Sequence, residues 1–126
     1  MTQRDPSAYV WDIRDACRTI DRAMRGMGRQ EYVTSTMQRL AIERLLIIIG
    51  EAVGRLAKVD AAMAAELGEV GQIVGFRNVL VHQYFDLDHT VVWEVLRTDV
   101  PRLLANAERV WSRFAPLYES DEPDMP

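Results

Sequence analysis

LLIIIGEAVGRLA, residues 45–57, decides the fold of this chain. Its apolar side chains cover most of a helix circumference, more than one flank of contacts can bury. The surrounding periodicity extends this helix from about Thr34 to Lys58. Such a helix is buried on several sides, centrally within a bundle or partly at a subunit interface, and in a chain of 126 residues both are expected. Gly50 and Gly54 lie four apart and lower helix propensity, a cost that a close backbone approach by a neighbouring helix justifies. The uncharged run from Leu45 to Gly50 is six residues, far below the roughly 18 that a membrane span needs.

Working outward, Asp5 before Pro6 predicts a helix start, and Tyr9, Ile13, Cys17, Ile20, Met24 and Met27 keep a helical period behind it. The opposite face carries Arg14, Arg18, Arg22 and Arg25, interleaved with Asp15 and Asp21 at spacings that predict solvated ion pairs, until Gly26 and Gly28 close the helix. Beyond the central helix, residues 60–67 read as a short alanine-rich helix ended by Gly68, and a further helix runs from Val70 to about Tyr84. Asp88 caps a segment that packs Val91, Val92, Val95 and Leu96 inward. Thr98 is expected to cap a last helix with Pro101 in its first turn and a stripe of Leu103, Leu104, Ala107, Val110, Trp111 and Phe114. The fold expected is all-α, an up-and-down bundle of about five helices over residues 1–118, homodimeric, with an acidic, disordered tail at 119–126.

Composition narrows the function. Hydrophobic residues make up 48% and charged residues 27%, a globular balance sized for one domain. The net charge of -4 speaks against a duplex binder relying on an overall basic surface. The charge is uneven, however: residues 1–58 carry ten basic against seven acidic side chains, and residues 59–126 five against twelve. No secretory signal is legible at the N-terminus, and a lone Cys17, on the buried stripe and so inert, suits a reducing cytoplasm. Trp93 and Trp111 read as core residues, and His89 with Asp86 and Asp88 is too sparse a set for a metal site.

The chemistry lies in GFRNVLVHQYFDLD, residues 75–88, where Arg77, Asn78, His82 and Tyr84 stand among apolar neighbours. With Arg77 at zero, Asn78 falls at about 100°, His82 at about 140° and Tyr84 at about -20° around a helix. One straight helix thus spreads these groups over a wide arc. A compact site needs the helix to loosen near His82, or a two-fold partner to bring a second copy. The set suits cleavage of RNA without a metal or other cofactor. A neutral imidazole, with an ordinary pKa near ~6.5, takes a proton from a ribose 2′-hydroxyl, and its charged form gives one to the leaving 5′-oxygen. Arg77 would stabilise charge building on the phosphate, Asn78 would orient the imidazole or hold a phosphate oxygen, and the product would be a 2′,3′-cyclic phosphate.

Arg77-Asn78-x3-His82-x-Tyr84 resembles the Arg-x4-His-x-Tyr pattern of the HEPN superfamily, specifically its HepT-like branch of small all-α ribonuclease toxins. Arg4-Asp5-Pro6, Ile49-Gly50-Glu51-Ala52, Val92-Trp93-Glu94 and Asp99-x-Pro101 carry the likeness along nearly the whole chain. The resemblance implies a cytoplasmic homodimer, with no membrane attachment, that cleaves RNA in a cleft shared by both protomers. It also implies a toxin-antitoxin pair in which a nucleotidyltransferase antitoxin neutralises the toxin by transferring AMP to the motif tyrosine, here Tyr84. AMP would place bulk and negative charge where a substrate phosphate binds. Glu51 is then a candidate for orienting Arg77 or His82. Gln83 and Asp86-Leu87-Asp88 depart from the commoner pattern without removing a catalytic group, although the two carboxylates would weaken RNA affinity. The alternative is a non-catalytic module that binds a nucleotidyltransferase or a nucleotide, with Arg77 merely holding a phosphate.

Overall fold

A computed structural model describes residues 4–118. The proposed tail at 119–126 lies outside the described residues. The helices are α1 (Pro6–Met24), α2 (Arg29–Thr34), α3 (Thr36–Val59), α4 (Ala61–Leu67), α5 (Val70–His82), α6 (His89–Glu94), α7 (Val100–Trp111) and α8 (Ala115–Tyr118). A 3-10 turn at Tyr84–Asp86 and a π turn at Val95–Asp99 join the later ones, and no strand occurs among the described residues. The fold is the all-α bundle expected, with short α2 and α8 added to the helices legible in the sequence.

Helix α3 is the axis: α1, α4 and α5 all pack on it, and α7 closes the bundle against α1 and α4. Its Ile42, Leu46, Ile49, Val53 and Leu56 are buried in one core with Val10, Ile13, Cys17 and Ile20 of α1 and Val110 of α7. Burial pushes the Cys17 thiol up to about 12, so it is not a nucleophile at neutral pH. Trp93 and Trp111 belong to the core as expected. Local signals set the boundaries. Asp5 accepts from the Ser7 amide at 2.9 Å ahead of Pro6, and Asp60 accepts from the Met63 amide at 3.0 Å, which starts α4 directly behind α3. Gly26, at φ +74°, supplies the left-handed residue that turns the chain after α1.

Two expectations need correction. Thr98 does not cap α7. Its hydroxyl donates to the Glu94 carbonyl at 2.7 Å, and α6 passes into α7 without a break. Pro101 lacks an amide hydrogen and its ring crowds the carbonyl four residues back, so the backbone widens to a π turn, where the Val100 amide bonds the Val95 carbonyl. The arginine row is also not a purely solvated face. Arg14 and Arg18 donate to the two oxygens of Glu108 on α7 at 3.0 and 2.7 Å, and Arg14 lies 5.2 and 5.7 Å from the Trp11 and Trp111 rings. Burial raises the Glu108 carboxyl, but the two arginine hydrogen bonds overcome it and hold the group below its usual range. Of the expected local pairs, Arg25–Asp21 forms, at 3.4 Å, whereas Asp15 contributes its carbonyl to Thr19. A partner 90 residues away outcompeted the neighbours, because α7 lies alongside α1.

Candidate active site

The site begins where α5 crosses α3. An ideal Cβ on Gly50 would lie 2.3 Å from Arg77 Cβ and 2.7 Å from its Cγ, so the glycine is what allows the two backbones to meet there. Gly54, one turn on, has Val74 at 3.4 Å, an ordinary contact. The close approach expected of the two glycines is therefore concentrated at Gly50. It delivers Arg77, with 28% of its side chain exposed, to Glu51: Nη2 stands 3.3 Å from Glu51 Oε2. Arg55 approaches the other oxygen at 3.5 Å, so one carboxylate lies between two guanidinium groups. Arg77 Nε is buried with no hydrogen-bond partner among the described residues. Glu51 thus contacts Arg77, one of the two residues it was a candidate to orient.

Helix α5 ends at His82, two residues short of the Tyr84 end read from periodicity. Gln83, at φ -116° and ψ 34°, leaves the helix, and the Asp86 amide bonds the Gln83 carbonyl at 3.0 Å to close the 3-10 turn. The helix is left only after His82, so the break frees Tyr84 from the helix but does not bring His82 round toward Arg77. Asn78, His82 and Tyr84 are exposed, and none makes a side-chain hydrogen bond to a described residue. Tyr84 and Phe85 meet edge to face at 5.3 Å and 79°. Five residues of α-helix turn about 140° and rise about 7.5 Å along the axis, so the structure ties Glu51 to Arg77 and sets His82 on another side of the same helix. A cavity of about 390 Å³, lined by Leu46, Ile49, Ile73, Phe76 and Leu103 among others, takes in none of Arg77, Asn78, His82 and Tyr84.

A buried polar cluster escaped the sequence reading. Glu43, only 5% exposed, places Oε2 3.6 Å from Arg39 Nε and 3.9 Å from His89 Nδ1. The Tyr32 hydroxyl is buried with them, its ring 5.7 Å from that of Trp93. None of these four polar atoms has a hydrogen-bond partner among the described residues. The cluster links α2 and α3 to the first residue of α6, where the turn carrying Tyr84 rejoins the bundle. His89 therefore faces Glu43, while Asp88 caps α6 by accepting from the Thr90 amide and hydroxyl at 3.0 and 2.6 Å. An acidic residue between Ile42 and Leu45 was the available signal, but its partners come from other helices.

Burial raises the Glu43 carboxyl above its ordinary 4.5, with His89 and Arg39 pulling the other way. A raised carboxyl stabilises the fold fully below its unfolded pKa and loses that contribution as pH rises through its folded value. Glu43→Gln, neutral at every pH, should therefore gain stability relative to the parent chain as pH rises from the ordinary carboxylate range toward neutral. Thermal unfolding of both proteins across that range checks this; a Tm difference independent of pH would contradict it.

A helical bundle with Arg-x4-His-x-Tyr ending one of its packed helices defines the HEPN class of all-α proteins. The model of the family described as Ribonuclease HepT-like matches residues 13–110, and the chain belongs to this HepT-like ribonuclease family. A Methanocaldococcus jannaschii protein named as a candidate RNase is 31% identical over 110 residues, covering 87% of this chain and all of its own length. A similarly named Caldanaerobacter subterraneus protein is 28% identical over 79% of this chain and 88% of its own length. A Thermococcus cleftensis protein named as a candidate ribonuclease HepT is 26% identical over 86% and 97%. No solved structure gives a significant match. Among the described residues no helix is long and apolar enough to cross a membrane.

Proposed function

We propose that this chain is a metal-independent endoribonuclease that works as a homodimer. In this reading it is the toxin of a toxin-antitoxin pair in the cytoplasm, silenced when a nucleotidyltransferase antitoxin transfers AMP to Tyr84. The observation that carries the reading is an exposed His82 on the last residue of α5 together with, on the same helix, an Arg77 that Glu51 of α3 meets. The family and the names of the relatives support ribonuclease chemistry.

The reaction follows from the donor set. One neutral His82 imidazole takes the 2′-hydroxyl proton, and the 2′-oxygen attacks phosphorus. The bond from phosphorus to the 5′-oxygen breaks, and a protonated His82 of the second copy delivers a proton to that oxygen. The products are a 2′,3′-cyclic phosphate and a 5′-hydroxyl, with atoms and charge conserved. Arg77 offsets the charge that grows on the equatorial oxygens, and Asn78 holds an oxygen or the imidazole. The 140° between Arg77 and His82 is the reason for invoking a second copy, and the exposed Ile48, Val81 and Val91 around these helices supply apolar surface for it. AMP on the half-exposed Tyr84 would bring phosphate charge and bulk to the entrance of that cleft.

The purified protein should cleave single-stranded RNA in the presence of a chelator and leave 2′,3′-cyclic phosphate ends, which resist 3′-end ligation until opened, and 5′-hydroxyl ends, which a kinase labels directly. Loss of cleavage on chelation would refute the mechanism. Co-expression with the nucleotidyltransferase should add one or more AMP masses to the parent chain and none to Tyr84→Phe. A chain that cuts no RNA yet binds the nucleotidyltransferase would be an interaction module instead.

A further inference from the structure

Phe85 is 95% exposed, whereas the tryptophans and Tyr32 are held in or against the core. A phenyl ring left almost wholly in water forgoes the stabilisation its burial would contribute, and packing of the monomer gives no reason for it to stand there. Its place is specific. The ring stands on the 3-10 turn that begins two residues after His82, and Tyr84, itself 49% exposed, presents its ring edge to face at 5.3 Å. Three residues of such a turn rise about 6 Å, a span within one or two nucleotide steps, since even a stacked strand advances about 3.4 Å per nucleotide.

We propose that Phe85, braced by Tyr84, is a stacking platform for an unpaired base beside the scissile phosphate, which makes single-stranded RNA the substrate class. The proposal rests on the nuclease reading above. Bases in a duplex are stacked on one another and offer no free face, so an exposed ring beside the scissile phosphate selects strands whose bases can splay out. Charge assigns the two halves of the nucleotide. Asp86 and Asp88 follow the ring directly on the chain and repel phosphate, whereas Arg77 on the α3 side of α5 attracts it. The neutral base is the half that fits the ring. Asp88 is committed to capping α6 and does not turn away to relieve that repulsion.

The test uses the full chain and a short single-stranded RNA cut at one position, in versions lacking one base at a time around the cut. For the parent protein, loss of the base that stacks should lower kcat/KM on the order of 10- to 100-fold, the factor that base-aromatic stacking is worth. Phe85→Leu should lose a similar factor on intact RNA and become indifferent to that missing base, while Phe85→Trp should keep both the rate and the dependence. Because the ring is exposed, these variants should fold normally, which their Tm verifies. Equal sensitivity of the parent and Phe85→Leu to every missing base would overturn the proposal. So would a change of oligomeric state in Phe85→Leu by light scattering, since the ring would then belong to a protein contact. Failure of the parent to cut any RNA would sink the nuclease reading itself, a result distinct from cleavage that ignores Phe85.

Discussion

His82→Ala is expected to lower RNA cleavage by about 10²- to 10⁴-fold and leave the protein folded, the loss typical of removing a general acid or base. The side chain is exposed on the last residue of α5 and bonds to no described residue, so its removal should change stability by no more than about 0.5 kcal/mol. In a dimer whose two imidazoles divide the proton transfers, one substitution in the gene removes both. The control is His89→Ala, whose imidazole is turned toward Glu43 inside the polar cluster. That variant should lose stability, because the buried Glu43 carboxylate would keep only Arg39 beside it. Cells expressing the parent protein should stop growing with fragmented RNA, while those expressing His82→Ala grow. Equal harm, or equal harmlessness with intact RNA, would count against His82 as the acting base.

Gly50→Ala should damage both stability and activity, and Gly54→Ala should damage neither. The new methyl at position 50 meets Arg77 Cβ and Cγ at 2.3 and 2.7 Å, and the nearer of them, Cβ, is fixed to the α5 backbone and cannot swing aside. The helices must part, at about 1–3 kcal/mol or more for overpacking, against about 1 kcal/mol gained from better helix propensity. The net effect is a fall of several degrees in Tm. As α5 moves outward it carries Arg77 from Glu51, so cleavage should fall even at temperatures where the variant is fully folded. At Gly54 the nearest atom is Val74 Cγ2 at 3.4 Å, which leaves the propensity gain nearly intact. Thermal unfolding and cleavage assays on the two variants decide it. Identical behaviour would mean that the approach at Gly50 is not what places the arginine.

Much of this could be read before any coordinates. The greasy centre of α3, the caps at Asp5 and Asp88, and the polar set around Arg77 and His82 all lie within a few residues of their own signals. The misread features share a different origin. Thr98 has a capping side chain, but Pro101 and the continuous packing of α6 and α7 turned the segment into a π turn. Arg14 and Arg18 had aspartates near at hand in sequence, yet Glu108 lay closer in space. Glu43 and His89 are 46 positions apart and gave no joint signal until α6 was laid beside α3.

From residue order alone came helix, all-α bundle, motif and family resemblance, because periodicity, capping and short motifs act over one or two turns of chain. Only the packed structure could decide that Gly50 admits Arg77, that Glu51 grips it, that α5 breaks at His82 and that Phe85 is left in water. Those outcomes depend on which helix faces come within a few ångströms of each other, a distance that separation along the chain does not encode.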